Sequence, residues 1–223
     1  MSTTSAGLST TEFRGARRRL IEALGEQGVT DLAVLRAFDE VPRHLFVPAA
    51  VAHRAYEDAA LPIGGGQTIS QPSVHGRSLQ AMRLTGRGRV LEVGTGSGFQ
   101  TALLARLAEQ VFSIERVPAL FDRARELLSS LGVRNVSLLL GDGTLGWREY
   151  APYDAIVVGA AAPDVPASYA SQLADGGRLV IPIGGRDEQT LIVLTKRGAV
   201  LDRSEILPVR FVPLLGAQGW SPS

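Results

Sequence analysis

The residues best suited to chemistry cluster in one run, Val90-Leu91-Glu92-Val93-Gly94-Thr95-Gly96-Ser97-Gly98. Apolar residues lead into closely spaced glycines and then into a helical pattern from Phe99. Glycines let the backbone approach a ligand, and a helix N-terminus presents free N–H groups. A dinucleotide fingerprint, G-x-G-x-x-G, would put its third glycine at position 99, which is Phe99. The spacing here is G-x-G-x-G, with Glu92 two residues before the first glycine. Alone, such a loop reads equally as a tight strand-to-helix turn. Two further acids extend the pattern. Glu115 ends the next apolar run, 21 residues after Gly94, where a carboxylate can accept both hydroxyls of a ribose. Asp142 follows the third run in Gly141-Asp142-Gly143, although Asp-Gly also favours a plain turn. Three acids at successive strand ends weigh more than any one, because open α/β sheets bind ligands beyond the carboxyl ends of their strands.

These positions need a scaffold, and the periodicity supplies one. Arg89–Val93, Val111–Ile114, Val136–Leu140, Ala155–Val158 and Arg178–Ile183 read as short buried strands. Phe99–Leu107, Pro118–Leu131 and Pro166–Leu173 read as the helices between them. Leu191–Thr195 and Leu207–Val212 are expected to form a terminal antiparallel pair. The expected fold is α/β: a doubly wound, mostly parallel, seven-stranded Rossmann-like sheet. In front of it, helices are expected from Thr11 to Gly25, from the N-cap Asp31 to Val41, and from Ser73 to Leu84. Arg43 to Gln71 carries Pro48, Pro62 and Gly64-Gly65-Gly66 without sustained period, and reads as a long irregular stretch. The organisation expected is a flexible tail over 1–11 and a single domain over 12–223. Within it, 12–85 forms a helical cap and substrate loop and 86–223 the ligand-binding core.

Composition removes whole classes of function. The 223 residues include no cysteine, which excludes disulfides, Cys-ligated zinc, thiolate catalysis and Fe–S clusters and makes a reducing cytoplasm the expected location. The formal net charge is +1, so general attraction to nucleic acid or to an acidic membrane is not expected. Lys196 is the only lysine, and neither a Schiff-base nor a P-loop pattern surrounds it. No stretch reaches the roughly 18 apolar residues of a membrane span. The N-terminus lacks a basic segment followed by an apolar one, so it does not read as a signal peptide. His44, His53 and His75 match no zinc spacing, and from spacing alone each reads as a surface or loop histidine. No metal site is expected.

The G-x-G-x-G loop resembles motif I of class I S-adenosylmethionine-dependent methyltransferases. That resemblance implies S-adenosylmethionine as cofactor and S-adenosylhomocysteine as product. It implies that Glu92, Gly94, Thr95, Gly96, Ser97 and Gly98 hold the donor, that Glu115 and Arg116 meet its ribose, and that Asp142 and Gly143 face its adenine. A cytosine-C5 acceptor would need a cysteine. A base-amino acceptor would need an Asn/Asp-Pro-Pro-aromatic motif where Val158-Gly159-Ala160-Ala161-Ala162-Pro163 stands, and Asp164 has no carboxylate company for a catechol-type metal site.

Five further segments join that loop: Arg43-His44-Leu45-Phe46-Val47-Pro48, Ala55-Tyr56-Glu57-Asp58, Leu61 to Pro72, Gly141-Asp142-Gly143, and Gln172 to Val180. Together they resemble the protein-L-isoaspartate O-methyltransferase family, from about Arg43 to Trp220. The segment Gln67-Thr68-Ile69-Ser70-Gln71-Pro72 is the most specific. The resemblance implies methylation of the free α-carboxylate of L-isoaspartyl residues in damaged proteins and peptides, with repair continuing through the methyl ester and a succinimide. It implies Ser70 as the active-site serine, with Thr68, Ile69 and His75 at the cofactor. Gly159, Gly65 and the pair His75-Gly76 depart from the commoner pattern and bear on substrate preference. A carboxylate acceptor, with a pKa near ~4, needs no general base. The expected protein is a monomer without nucleic-acid or membrane partners. Other readings remain at this point: an NAD(P)-dependent oxidoreductase, a non-catalytic binder of such peptides, and a peptide-tailoring aspartate O-methyltransferase.

Overall fold

The computed structural model describes residues 13–221; the expected tail over 1–11 lies outside them. Two helices come first, α1 (Arg14–Glu26) and α2 (Leu32–Glu40). Asp31 starts α2 by accepting from the N–H groups of Ala33 at 2.9 Å and Val34 at 3.3 Å. The helix ends before Val41, whose extended backbone is what a following proline favours.

The stretch expected to be irregular is in fact built. Two 3-10 turns (Arg43–Phe46 and Ala49–Arg54) lead into a two-stranded antiparallel hairpin, β1 (Leu61–Gly64) and β2 (Gln67–Ile69). Gly65 and Gly66 form its turn with φ of 62° and 70°, a left-handed pair that suits the twist of a tight hairpin. Helix α3 (Pro72–Met82) follows, with proline at its first position.

The core alternates β3 (Arg89–Val93), α4 (Phe99–Leu107), β4 (Gln110–Glu115), α5 (Pro118–Ser130), β5 (Val136–Leu140), β6 (Tyr153–Val158), α6 (Ala167–Gln172) and β7 (Leu173–Gly184). It closes with β8 (Gln189–Arg197) and β9 (Val200–Val209). The seven strands lie in the order β5-β4-β3-β6-β7-β8-β9. The first five are parallel, whereas β8 is antiparallel to both β7 and β9. The last strand therefore begins at Val200, not at the expected Leu207, and 210–212 lie beyond it. Its residues 202–205 are all exposed and polar, so this edge strand lacks the apolar alternation that would mark it.

The chain moves outward from β3 to β5 and then returns to lay β6 beside β3. That reversal opens a crevice at the carboxyl ends of β3 and β6. One apolar core joins Leu20, Leu24 and Phe38 of the N-terminal helices to Phe99 and Leu103 of α4. A second packs the opposite sheet face, around Leu91, Phe112, Tyr153 and Tyr169. Lys196 serves the fold. Its Nζ donates to the carbonyls of Ala170 at 2.8 Å and Leu173 at 2.7 Å, near the end of α6.

Candidate active site

A cavity opens at that crevice. Its walls come from β2 and the residues just after it, from the β3–α4 loop, from the end of β4, and from 212–215. Of the expected site residues, Thr68, Ile69, Ser70, His75, Gly94, Thr95, Gly96, Ser97, Glu115, Arg116 and Gly143 line it. Glu92, Gly98 and Asp142 do not.

Glu115 is held in place by backbone. Its Oε2 accepts from Gly96 N–H at 2.7 Å, and its Oε1 accepts from the N–H groups of Arg116 and Val117, both at 2.8 Å. The loop after β3 and the start of α5 thus clamp one carboxylate from two sides. Each carboxylate oxygen offers about two acceptor sites, so Glu115 keeps capacity for a polar ligand. Gly143 lines the same cavity, and its lack of a side chain lets it pack on Val93, whose Cγ1 a Cβ there would meet.

The three residues outside the lining have contacts of their own. Gly98 turns the chain into α4 with φ 86°, and a Cβ there would stand 3.3 Å from that of Ala124 on α5. Its role is close helix packing. Asp142 faces the C-terminal segment. Its Oδ1 accepts from Thr144 N–H at 2.9 Å and Thr144 Oγ1 at 2.7 Å, and its Oδ2 accepts from Ala217 N–H at 2.8 Å. Burial pushes its carboxyl up, but these bonds outweigh burial and hold it below the ordinary value. Glu92 is fully buried beneath the loop. It accepts from Gln100 Nε2 at 3.1 Å, Thr101 Oγ1 at 2.5 Å and Ser113 Oγ at 2.6 Å. Burial dominates and pushes its carboxyl up to about 7, against those three bonds. Gln100, which sequence reasoning passed over, joins this network to the cavity, since it lines the wall itself.

Ser70 sits at a junction. It borders the cavity and also a second depression lined by Gln71, Ser73 and Pro208–Phe211. Its backbone carbonyl accepts from Arg43 Nη2 at 3.0 Å, while Arg43 Nε donates to Ala55 O at 2.8 Å. Arg43 is 1% exposed and lies 4.8 Å from the centre of the Phe99 ring. Burial pulls its pKa down to about 9, opposed by the Asp58 carboxylate. Asp58 holds the residues that follow Ser70, accepting from Gln71 Nε2 at 2.9 Å and Ser73 N–H at 2.8 Å. The sequence motif contained Arg43, but nothing in it announced this anchoring role. Two histidines expected at the surface are buried: His44 pairs with Tyr56 Oη at 2.8 Å, and His75 lines the cavity. Burial first, and Arg43 second, push His75 down to about 3, so it is neutral near pH 7. His53 is exposed, as expected. Among the described residues no cluster of His, Cys, Asp and Glu could hold a metal ion.

Comparison with known proteins gives one answer. The chain is 50% identical over 211 residues to a protein-L-isoaspartate O-methyltransferase of Dictyoglomus thermophilum, covering 95% of this chain and 96% of that one. It is 52% identical over 204 residues to the enzyme of that name from Hahella chejuensis, covering 91% and 97%. Among solved structures, a protein-L-isoaspartate O-methyltransferase matches with a TM-score of 0.83 at 31% identity, over 91% of this chain and 67% of that one. A Plasmodium falciparum chain described as a candidate enzyme of this kind, solved with S-adenosyl-L-homocysteine, matches with a TM-score of 0.77 at 27% identity, over 89% and 98%. The family model for protein-L-isoaspartate(D-aspartate) O-methyltransferase matches residues 15–219, and the chain belongs to that family.

Proposed function

We propose that the cavity binds S-adenosylmethionine and that Ser70 aims the free α-carboxylate of an L-isoaspartyl residue at it, giving a methyl ester and S-adenosylhomocysteine. The observation that carries this reading is the position of Ser70 on the border of the two depressions. The donor lies in the first, against Thr68, Ile69, His75, Gly94–Ser97, Glu115, Arg116 and Gly143. The acceptor peptide reaches Ser70 through the second. The residues fit the donor: a pinned carboxylate stands at the end of the second core strand, and Ile63, Ile114, Val117 and Leu120 give apolar wall beside it.

When bound, S-adenosylmethionine supplies an electrophilic methyl on a sulfonium centre. The chain positions the acceptor and keeps out water. The Ser70 hydroxyl has no hydrogen-bond partner among the described residues, so it is free to donate to a carboxylate oxygen. Arg43 holds the Ser70 carbonyl and Asp58 holds the backbone at Ser73. No proton needs removing, because a carboxylate of pKa near ~4 is already ionised at pH 7. Ile63, Leu120, Val212 and Leu214 give the cavity apolar walls, where neutralising a cation–anion pair is favoured. The same reading makes the protein a cytoplasmic monomer that acts on damaged proteins and the ester a precursor of succinimide-mediated repair. It is supported by the cysteine-free composition and the near-zero net charge, and no described helix is long and apolar enough to cross a membrane.

The test is radiolabelled methyl transfer to two peptides that differ only in an isoaspartyl or aspartyl linkage. Base-labile label is expected on the isoaspartyl peptide alone. Equal labelling of both peptides would overturn the assignment.

A further inference from the structure

We propose that Gln100 receives the α-ammonium group of the methyl donor, and that Glu92 is the positioning residue that makes Gln100 an acceptor. The proposal rests on the donor cavity described above. It follows from a count of hydrogen-bond donors. Above about pH 7 Glu92 is ionised, and an ionised carboxylate only accepts. Glu92 is buried among three polar side chains within hydrogen-bond reach, Gln100, Thr101 and Ser113. Each must turn a proton toward it. For Gln100 this fixes the amide: its NH2 faces Glu92, and its carbonyl oxygen is the polar atom left over. The opposite rotamer would set amide oxygen against carboxylate oxygen.

The same constraint travels one residue further. The single hydroxyl proton of Ser113 goes to Glu92. Ser113 must then accept from Thr95 Oγ1, 2.6 Å away. Thr95 therefore spends its own proton inward. Gln100 and Thr95 both line the cavity, Thr95 with oxygen lone pairs and no side-chain proton, Gln100 with the carbonyl oxygen that its bond to Glu92 turns outward. Gln100 is 8% exposed and its carbonyl oxygen has no partner among the described residues. Such a group favours a ligand that brings a donor, above all a charged one. The amino-acid end of the donor carries one cationic donor, its ammonium, and one anionic acceptor, its carboxylate. Only the ammonium matches this wall. Glu92 thus acts on the ligand without lining its cavity: it sets the hydrogen-bond polarity of the wall, and its charge lies behind the cation.

The test compares S-adenosylhomocysteine with its desamino analogue, in which hydrogen replaces the ammonium group, by titration calorimetry at pH 8. The full-length protein is expected to prefer S-adenosylhomocysteine roughly ten- to a hundred-fold, the range for a hydrogen bond to a charged group. Gln100→Met should abolish that preference while leaving the affinity for the desamino analogue within a few-fold. Glu92→Gln should shrink the preference as well, because its amide can donate and so frees the Gln100 amide to turn. The desamino analogue reports in every variant whether the cavity is intact. The proposal is overturned if either variant weakens both ligands equally, or if Gln100→Met keeps the wild-type preference. If the wild-type protein binds neither ligand, the donor cavity itself has been misread, a distinct result.

Discussion

Glu92→Gln removes a buried negative charge while keeping the length of the side chain. Burial pushes this carboxyl up from 4.5 to about 7. The folded chain therefore holds its proton more tightly than the unfolded chain does. As pH rises the unfolded chain loses that proton first, so this group's contribution to stability is complete below about pH 4.5 and is lost by the time pH has passed 7. At 1.36 kcal/mol for each pH unit separating the two values, the loss approaches about 3 kcal/mol at pH 8. Glutamine has no such titration. The stability of Glu92→Gln, measured against the wild type, should therefore climb by about 3 kcal/mol between pH 4 and pH 8. In a chain of this size that is about 6–12 °C in Tm. Urea unfolding of both ligand-free proteins across this range, followed by tryptophan fluorescence, makes the comparison, since the other titrating groups cancel in the difference. Parallel pH–stability curves would refute the reasoning, because they would mean that the folded chain does not hold the Glu92 proton more tightly than the unfolded one.

Two further outcomes concern the site itself. Ser70→Ala should lower methyl transfer to an isoaspartyl peptide roughly ten- to a hundred-fold, with S-adenosylhomocysteine affinity unchanged within a few-fold; transfer at the wild-type rate would remove the hydroxyl from the reaction. Glu115→Ala should weaken donor binding by ~1–3 kcal/mol in calorimetry. It should also lower the Tm, because the N–H groups of Gly96, Arg116 and Val117 lose their common acceptor, and an unchanged dissociation constant would exclude Glu115 from the site.

Where local sequence decides local structure, residues alone come close to the fold. Asp31 caps α2, Pro42 ends it, and the apolar runs between glycines become β3 to β6. The glycine loop and Glu115 are legible for the same reason: their spacing encodes a strand, a turn and a helix. The hairpin of β1 and β2 escapes such reading although its Gly65-Gly66 turn is a known signal, because strands of 4 and 3 residues are too short to show a period. Strand β9 is hard to place because an exposed edge strand needs no apolar face. Harder still are the partners of buried polar groups. That Glu92 is enclosed by Gln100, Thr101 and Ser113, or that Arg43 holds the carbonyl of Ser70, depends on which elements meet in space. Charge and spacing single out Glu92 and Asp142 as acids at strand ends, but not the neighbours that hold their carboxylates.

The clasp at Asp142 bears on how the binding site comes into being. Asp142 holds Ala217, 75 positions along the chain, and Thr144 Oγ1 accepts from the backbone of Gln218. Between them these bonds fasten the segment whose Pro213, Leu214 and Leu215 form one wall of the cavity. Another wall comes from the hairpin near residue 68. A pocket assembled from such distant stretches of chain has high contact order, and the loops that close it must be shut before its contacts stabilise anything. On the proposed reading, a donor in this cavity touches both halves of the chain. The donor is therefore a ligand of the global fold, and its concentration acts on complete unfolding: at a hundred times its dissociation constant it adds about 2.7 kcal/mol. On that reading donor concentration acts on the folded fraction of the protein as well as on the rate of methyl transfer.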